Sequence, residues 1–221
     1  MTRTLLDVAQ EASTCTKCRL ATTRTHVVFG VGSPDADVLF IGEAPGMHED
    51  KQGEPFVGAA GQLLTRMLGD IGLTREQVYI ANILKCRPPG NRDPQEDEIE
   101  TCTPWLVEQM SLIQPQVIVT LGNFATKFVL QTQTGITRMR GSVYPWHGRK
   151  VIPTFHPAAI LRGGGEKGRQ FGELQEDFAL IKRTLTEPEP SPPPPPVTSL
   201  VELEREVAEQ PAVPDDQLEL F

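Results

Sequence analysis

The chain has 221 residues, 38% hydrophobic and 6% aromatic, enough for one ordinary domain with a tail. Apolar runs such as VLFI at 38–41 and VIVTL at 117–121 are far shorter than the roughly 20 residues of a membrane span, and MTRTLLDVAQEAS at the start has no continuous apolar stretch like that of a secretory signal, so a soluble, monomeric, cytoplasmic protein is expected. The net charge is −8, but residues 187–221 alone hold nine acids and one base; subtracting these from 29 acids and 21 bases leaves 20 of each, so residues 1–186 are neutral and the acidity does not exclude a nucleic-acid partner.

In chain order, Cys15 and Cys18 come first as a C-x2-C pair. A predicted strand over 37–41 leads into GEAPGMHEDKQGEPFVGAAGQLL at 42–64, where Gly42, Gly46, Gly53, Gly58 and Gly61 with Pro45 and Pro55 let backbone approach a ligand. Glu43, Glu49 and Asp50 crowd this loop and Phe56 is its aromatic. It lacks the GK[ST] of a phosphate-binding loop, which disfavours a nucleoside triphosphatase. A helix is predicted over 59–70 and a strand over 78–82. Asn82 closes that strand, and its amide both donates and accepts, the pairing required by a pyrimidine's O4 and N3–H edge. Lys85, Arg87 and Arg92 follow as a basic ridge around two prolines. Asp93-Pro94-Gln95-Glu96 reads as a helix start, with Asp93 as N-cap, for a helix over 94–113.

Cys86 and Cys102 complete the cysteines, with 67 residues between Cys18 and Cys86 and 15 between Cys86 and Cys102. An intracellular chain disfavours disulfides, so four converging thiolates fit tetrahedral zinc or a [4Fe–4S] cluster, and spacing alone does not choose. A strand at 116–121, a helix at 122–131, a strand at 150–155 and a helix at 170–185 complete the body. Strands alternating with helices imply a parallel sheet covered on both faces, with ligands bound beyond the carboxyl ends of the strands. His156 sits at such an end, followed by the apolar Ala158 to Leu161, then Arg162, Gly163, Gly164, Gly165, Lys167 and Arg169. A basic loop with an apolar tip suits insertion into a duplex groove. Residues 187–221 form a separate tail: EPEPSPPPPP favours polyproline II, and the remainder is expected to be disordered until bound.

GEAPG at 42–46, ANILKCRPPGNR at 81–92 and HPAAIL at 156–161, with cysteines at 15, 18, 86 and 102, resemble the family 4 uracil-DNA glycosylases, iron–sulfur members of the uracil-DNA glycosylase superfamily. The resemblance spans about residues 5–185. It implies a three-layer α/β/α domain over 1–186 around a four-stranded parallel sheet. It also implies a structural [4Fe–4S] cluster on Cys15, Cys18, Cys86 and Cys102. By position, Phe56 stacks on the flipped uracil, Asn82 bonds its Watson–Crick edge, His156 donates to O2 of the departing base, and Gly42, Glu43 and Ala44 line the pocket. In the classical branch a water-positioning Asp stands where this chain has Ala44, so that role passes first to Glu43 and then to Glu49. Lys85, Arg87, Arg92, Lys167 and Arg169 are expected to hold DNA, with Leu161 and Arg162 entering the minor groove.

The implied activity is monofunctional: hydrolysis of the N-glycosidic bond of uracil in single- or double-stranded DNA, leaving an abasic site for base-excision repair. No Lys is placed as a Schiff-base nucleophile. Excision of hypoxanthine or xanthine, or a non-catalytic iron–sulfur DNA-binding module, are the alternatives. The last residues, Gln217, Leu218, Glu219, Leu220 and Phe221, resemble the pentapeptide by which bacterial repair proteins dock on the sliding clamp, although an acidic tail also suits masking the protein's own DNA face.

Overall fold

A computed structural model describes residues 3–186; the proline-rich segment and the clamp-like pentapeptide lie outside the described residues. The centre is a six-stranded sheet in the order β1-β3-β2-β4-β6-β5. Here β1 is Val31–Gly32, β2 Val38–Gly42, β3 Tyr79–Asn82, β4 Val117–Leu121, β5 Tyr144–Trp146 and β6 Arg149–Thr154. The four expected strands, β2, β3, β4 and β6, are mutually parallel. Two short antiparallel edge strands, β1 against β3 and β5 against β6, extend the expected four-stranded sheet to six. Each is two or three residues long, too brief to read from a period-2 pattern.

Helices cover both faces. They are α1 (Leu5–Ser13), α2 (Met47–Gln52), α3 (Ala59–Asp70), α4 (Glu96–Ile113), α5 (Gly122–Leu130), α6 (Ile136–Met139), α7 (Pro157–Arg162) and α8 (Arg169–Thr186). Strands β2, β3 and β4 are buried throughout, as expected of parallel strands sandwiched between helix layers. One core joins Phe40, Val119 and Ile152 to Leu64 of α3 and Phe178 of α8. The other joins Leu39, Ile118 and Val151 to Leu106 of α4 and Ala125 of α5. Among the described residues no helix is long and apolar enough to cross a membrane.

Helix α4 starts two residues later than the expected 94, with Gln95 rather than Asp93 as N-cap. Glu98 decides this: it is fully buried, accepts from the Gln95 amide at 2.9 Å and takes two hydrogen bonds from Arg92, at 2.9 and 2.6 Å. Leu161 and Arg162, expected in a loop, lie in α7.

Parallel register brings Gly42 beside Asn82 and Leu121 beside Thr154, so four strands end together along one edge. The last of these ends is anchored from behind. Asp177 of α8, fully buried, accepts from Thr154 Oγ1 at 2.6 Å and from two nitrogens of Arg140, at 3.0 and 2.6 Å.

Candidate active site

Beyond the strand ends lies a cleft of about 730 Å³ whose walls include Glu43, Glu49, Phe56, Asn82, His156 and Arg162. The loops after β2, β3 and β6 therefore converge as the parallel-sheet rule requires. Gly42 makes this convergence possible. A Cβ there would collide with Asn82 Oδ1 and come within 2.7 Å of Phe56 Cζ. Asn82 is 2% exposed, yet its Oδ1 has no hydrogen-bond partner. An unpaired buried carbonyl costs on the order of 1–3 kcal/mol, so it marks a place where a ligand donor belongs.

Phe56 adopts a left-handed backbone, φ 54°, unusual for a bulky residue and retained only where the surroundings enforce it. Three features enforce it. Arg75 donates to the carbonyls of Pro55 and Phe56, at 2.7 and 3.1 Å. Glu49 Oε1 accepts the amides of Val57 and Gly58, both at 3.0 Å. Gly61 of α3 leaves room where any Cβ would strike the Phe56 backbone. Glu49, on α2, thus lines the cleft while fixing the turn that carries Phe56.

His156 caps α7, its Nδ1 accepting the Ala158 amide at 3.1 Å. That bond leaves the proton of the neutral ring on Nε2. Burial, and then the Arg162 charge against a smaller opposing influence of Glu49, push its pKa down to about 4, so the ring is neutral at pH 7. Gly122 at φ 88° lets β4 pass close behind it; a Cβ there would lie 2.8 Å from that of His156. Glu43 is half-buried, and burial with the nearby Asp93 raises its carboxyl above the ordinary range. Leu84 donates to the Glu43 carbonyl at 3.0 Å, which pins this residue alongside the end of β3.

The expected basic ridge needs correction. Lys85 is 1% exposed, with Nζ donating to the Asn82 carbonyl at 2.7 Å and to Gln109 Oε1 at 2.5 Å, so it faces the interior and is not a DNA contact. Its pKa is pushed down to about 7 by burial. Arg92 borders the cleft but commits its guanidinium to Glu98. Arg87 is half-buried and donates to Asn91. Leu161 and Arg162 of α7, Lys167 in the following turn and Arg169 at the start of α8 are exposed, and of these four Arg162 borders the cleft. Lys127 of α5 also borders the cleft; its only sequence signal is its place six residues beyond the β4 end. Arg75 carried no local signal at all.

All four cysteines are free thiols and line one small pocket with Trp105 and Leu20. Cys86 and Cys102 are buried, and the surrounding core includes Val8, Ala12 and Leu84. Burial raises both thiols, Cys102 to about 12. Arg24 donates to Cys86 Sγ at 3.5 Å and the Lys85 amide to Cys102 Sγ at 3.2 Å. Among the described residues no three or more His, Cys, Asp or Glu side chains stand close enough together to hold a single metal ion. Four thiols sharing one apolar pocket with nearby donors is nevertheless a set that fits an iron–sulfur cluster.

Known proteins resemble this chain over most of its length. The profile of the uracil DNA glycosylase superfamily matches residues 29–179. A type-4 uracil-DNA glycosylase of Sulfurisphaera tokodaii is 46% identical over 190 residues, 82% of this chain and 84% of that protein. One from Archaeoglobus fulgidus is 52% identical over 163 residues, 70% of this chain and 82% of the relative. One from Thermotoga maritima is 46% identical over 165 residues, 74% and 86% respectively.

Proposed function

This chain belongs to the uracil DNA glycosylase superfamily, with type-4 enzymes among its relatives, and on that premise we propose how its own residues excise uracil from DNA and leave an abasic site. The observation that carries the reading is the buried, unpartnered Asn82 Oδ1. A flipped uracil supplies the missing donor, N3–H, while the Asn82 amide nitrogen donates to O4. Phe56 provides the stacking face. A purine such as hypoxanthine offers Asn82 the same donor–acceptor pair, N1–H and O6, but brings a larger two-ring outline, and a non-catalytic module leaves this orphan acceptor without purpose.

Cleavage expels uracil as an anion from an oxocarbenium-like sugar. Neutral His156, with its proton on Nε2, donates to O2 as that charge develops, and one such donor in a dry site is worth ~3–4 kcal/mol. Glu43 orients water and stabilises the sugar cation, as carboxylates do in glycoside hydrolysis. Glu49 chiefly holds the Phe56 turn. Extrusion is easiest at a mismatch, so U·G is processed faster than U·A.

Cys15, Cys18, Cys86 and Cys102 hold a [4Fe–4S] cluster whose contribution is structural, tying the N-terminal segment to 86–102. Leu161 and Arg162 enter the minor groove, with Lys167 and Arg169 on phosphates. The terminal QLELF tethers the enzyme to a sliding clamp through the acidic tail.

The test is excision from a U·G duplex, read as alkali-sensitive strand scission, by wild type and Asn82→Ala. Loss of scission with DNA binding and visible cluster absorption retained supports the reading. Scission by Asn82→Ala at the wild-type rate would overturn it.

A further inference from the structure

Burying a lysine is costly unless its ammonium finds partners, and the fold gives Lys85 particular ones. Nζ donates to the backbone carbonyl of Asn82 and to Gln109 Oε1, with the Phe29 ring 5.8 Å away. Gln109 is itself anchored, its Nε2 donating to the Phe29 carbonyl at 2.8 Å and to Tyr79 Oη at 3.3 Å. Gln109 lies two turns beyond Cys102 on α4. The Lys85 amide donates to Cys102 Sγ. The five residues from Asn82 to Cys86 are therefore fastened to α4 at both ends, through Gln109 near Asn82 and through Cys102 near Cys86.

We propose that Lys85 is a positioning residue. Its buried Nζ, through these two hydrogen bonds, locks the Asn82 peptide to α4, so that the helix carrying Cys102 sets the orientation of the base-reading amide. This rests on the reading of Asn82 given above. A lysine that touched DNA would act on substrate affinity and its salt dependence; a lysine that acts through Asn82 acts on the chemical step.

The test is a double-mutant cycle on the full, cluster-replete chain. Lys85→Met keeps the stem and removes both hydrogen bonds. Displacement of a reading group by a fraction of an ångström should lower single-turnover excision about tenfold to a hundredfold, with DNA affinity, its salt slope and iron content unchanged. In an Asn82→Ala background the same substitution should cost less than about twofold, because the group it positions is gone. Equal penalties in both backgrounds, or a loss confined to DNA affinity, would overturn the proposal. If Lys85→Met does not fold, Gln109→Leu enters the same cycle; it removes the second acceptor and is expected to be equally non-additive, and additivity would count against the proposal. An Asn82→Ala enzyme with wild-type excision sinks the reading of Asn82 and this proposal with it. An impaired Asn82→Ala enzyme with an additive Lys85→Met penalty sinks the positioning role alone.

Discussion

The rings of Phe56 and His156 stand 5.6 Å apart between centroids and are inclined by 31°, although one belongs to the turn before α3 and the other caps α7. Neither turn is free to adjust, since Arg75 and Gly61 hold the first and Gly122 and the Ala158 amide hold the second. A preorganised donor of this kind loses little when the transition state forms, which is where its catalytic value arises. His156→Ala should therefore lower single-turnover excision about 10²- to 10³-fold while DNA binding is retained. Alkali-sensitive scission of a U·G duplex measures this, and a loss under about threefold would remove His156 from the mechanism.

Gly42 tests the convergence of the other two walls. Any side chain there meets Asn82 Oδ1 and the Phe56 ring. Gly42→Ala should fold, since a small shift in the cleft accommodates one methyl, but excision should fall by about tenfold or more because the reading and stacking groups are pushed apart. Unchanged excision with unchanged melting temperature would show that the two groups do not need this contact.

The parallel core was legible because its strands are apolar on both faces and alternate with helices of ordinary length; α3 spans the expected 59–70 residue for residue. Asn82 and His156 were legible because strand ends in such sheets face the ligand. What escaped depends on pairing at a distance. Lys85 reads as a surface base beside Arg87, and only the presence of Gln109, 24 residues on, shows why it is buried. Arg92 reads as a phosphate ligand until Glu98 is seen to claim it, and the same carboxylate moves the start of α4 past Asp93. Arg75 acts on Phe56 from 19 residues away, a relation with no period or motif to reveal it.

Acidity should act differently on His156 and Glu43, the two groups proposed to act on the base and the water. The depressed pKa of His156, about 4 against an ordinary 6.5, keeps the imidazole neutral through pH 5–8, so it contributes no acid limb there. The same shift links to stability. The unfolded chain binds this proton more readily, so the stabilisation is full above about pH 6.5 and is lost as pH falls toward 4. His156→Leu should flatten that part of the stability profile. Glu43 must be ionised to act, and burial and Asp93 raise its carboxyl, so the acid limb of kcat/KM should lie above the ordinary carboxylate range. Asp93→Asn removes a negative neighbour and should move that limb to lower pH. A limb that does not move would transfer the water-orienting role away from Glu43.

Salt dependence separates bases that meet phosphate from bases that serve the fold. Arg162→Ala and Lys167→Ala should each weaken binding to any duplex and reduce the slope of log K against log salt by about 1. Arg92→Ala should leave the slope nearly unchanged and lower the melting temperature, since it removes the two hydrogen bonds that Arg92 donates to the buried Glu98 carboxylate and leaves only the Gln95 amide and the more distant Arg19 beside it. Fluorescence anisotropy at several salt concentrations, with thermal melts alongside, decides each assignment.

Loss of the proposed iron–sulfur centre should loosen the fold without dissolving it. The two cores on either face of the sheet contain none of the four cysteines, whereas the smaller core around Val8, Leu20 and Trp105 contains Cys86 and Cys102. A crosslink between residue 18 and residue 86 closes a loop comparable to those for which a covalent bridge stabilises by about 4 kcal/mol. For a domain of this size that corresponds to a fall of roughly 10 °C in melting temperature when the link is lost. Cys102→Ala, or oxidative removal of iron from wild type, should therefore lower the melting temperature by about that amount and abolish the visible absorption, while far-ultraviolet circular dichroism retains the signal of the sheet and its helices. Complete unfolding on iron loss would mean that the sheet cores depend on the centre. An unchanged melting temperature would mean that the four thiols do not share one.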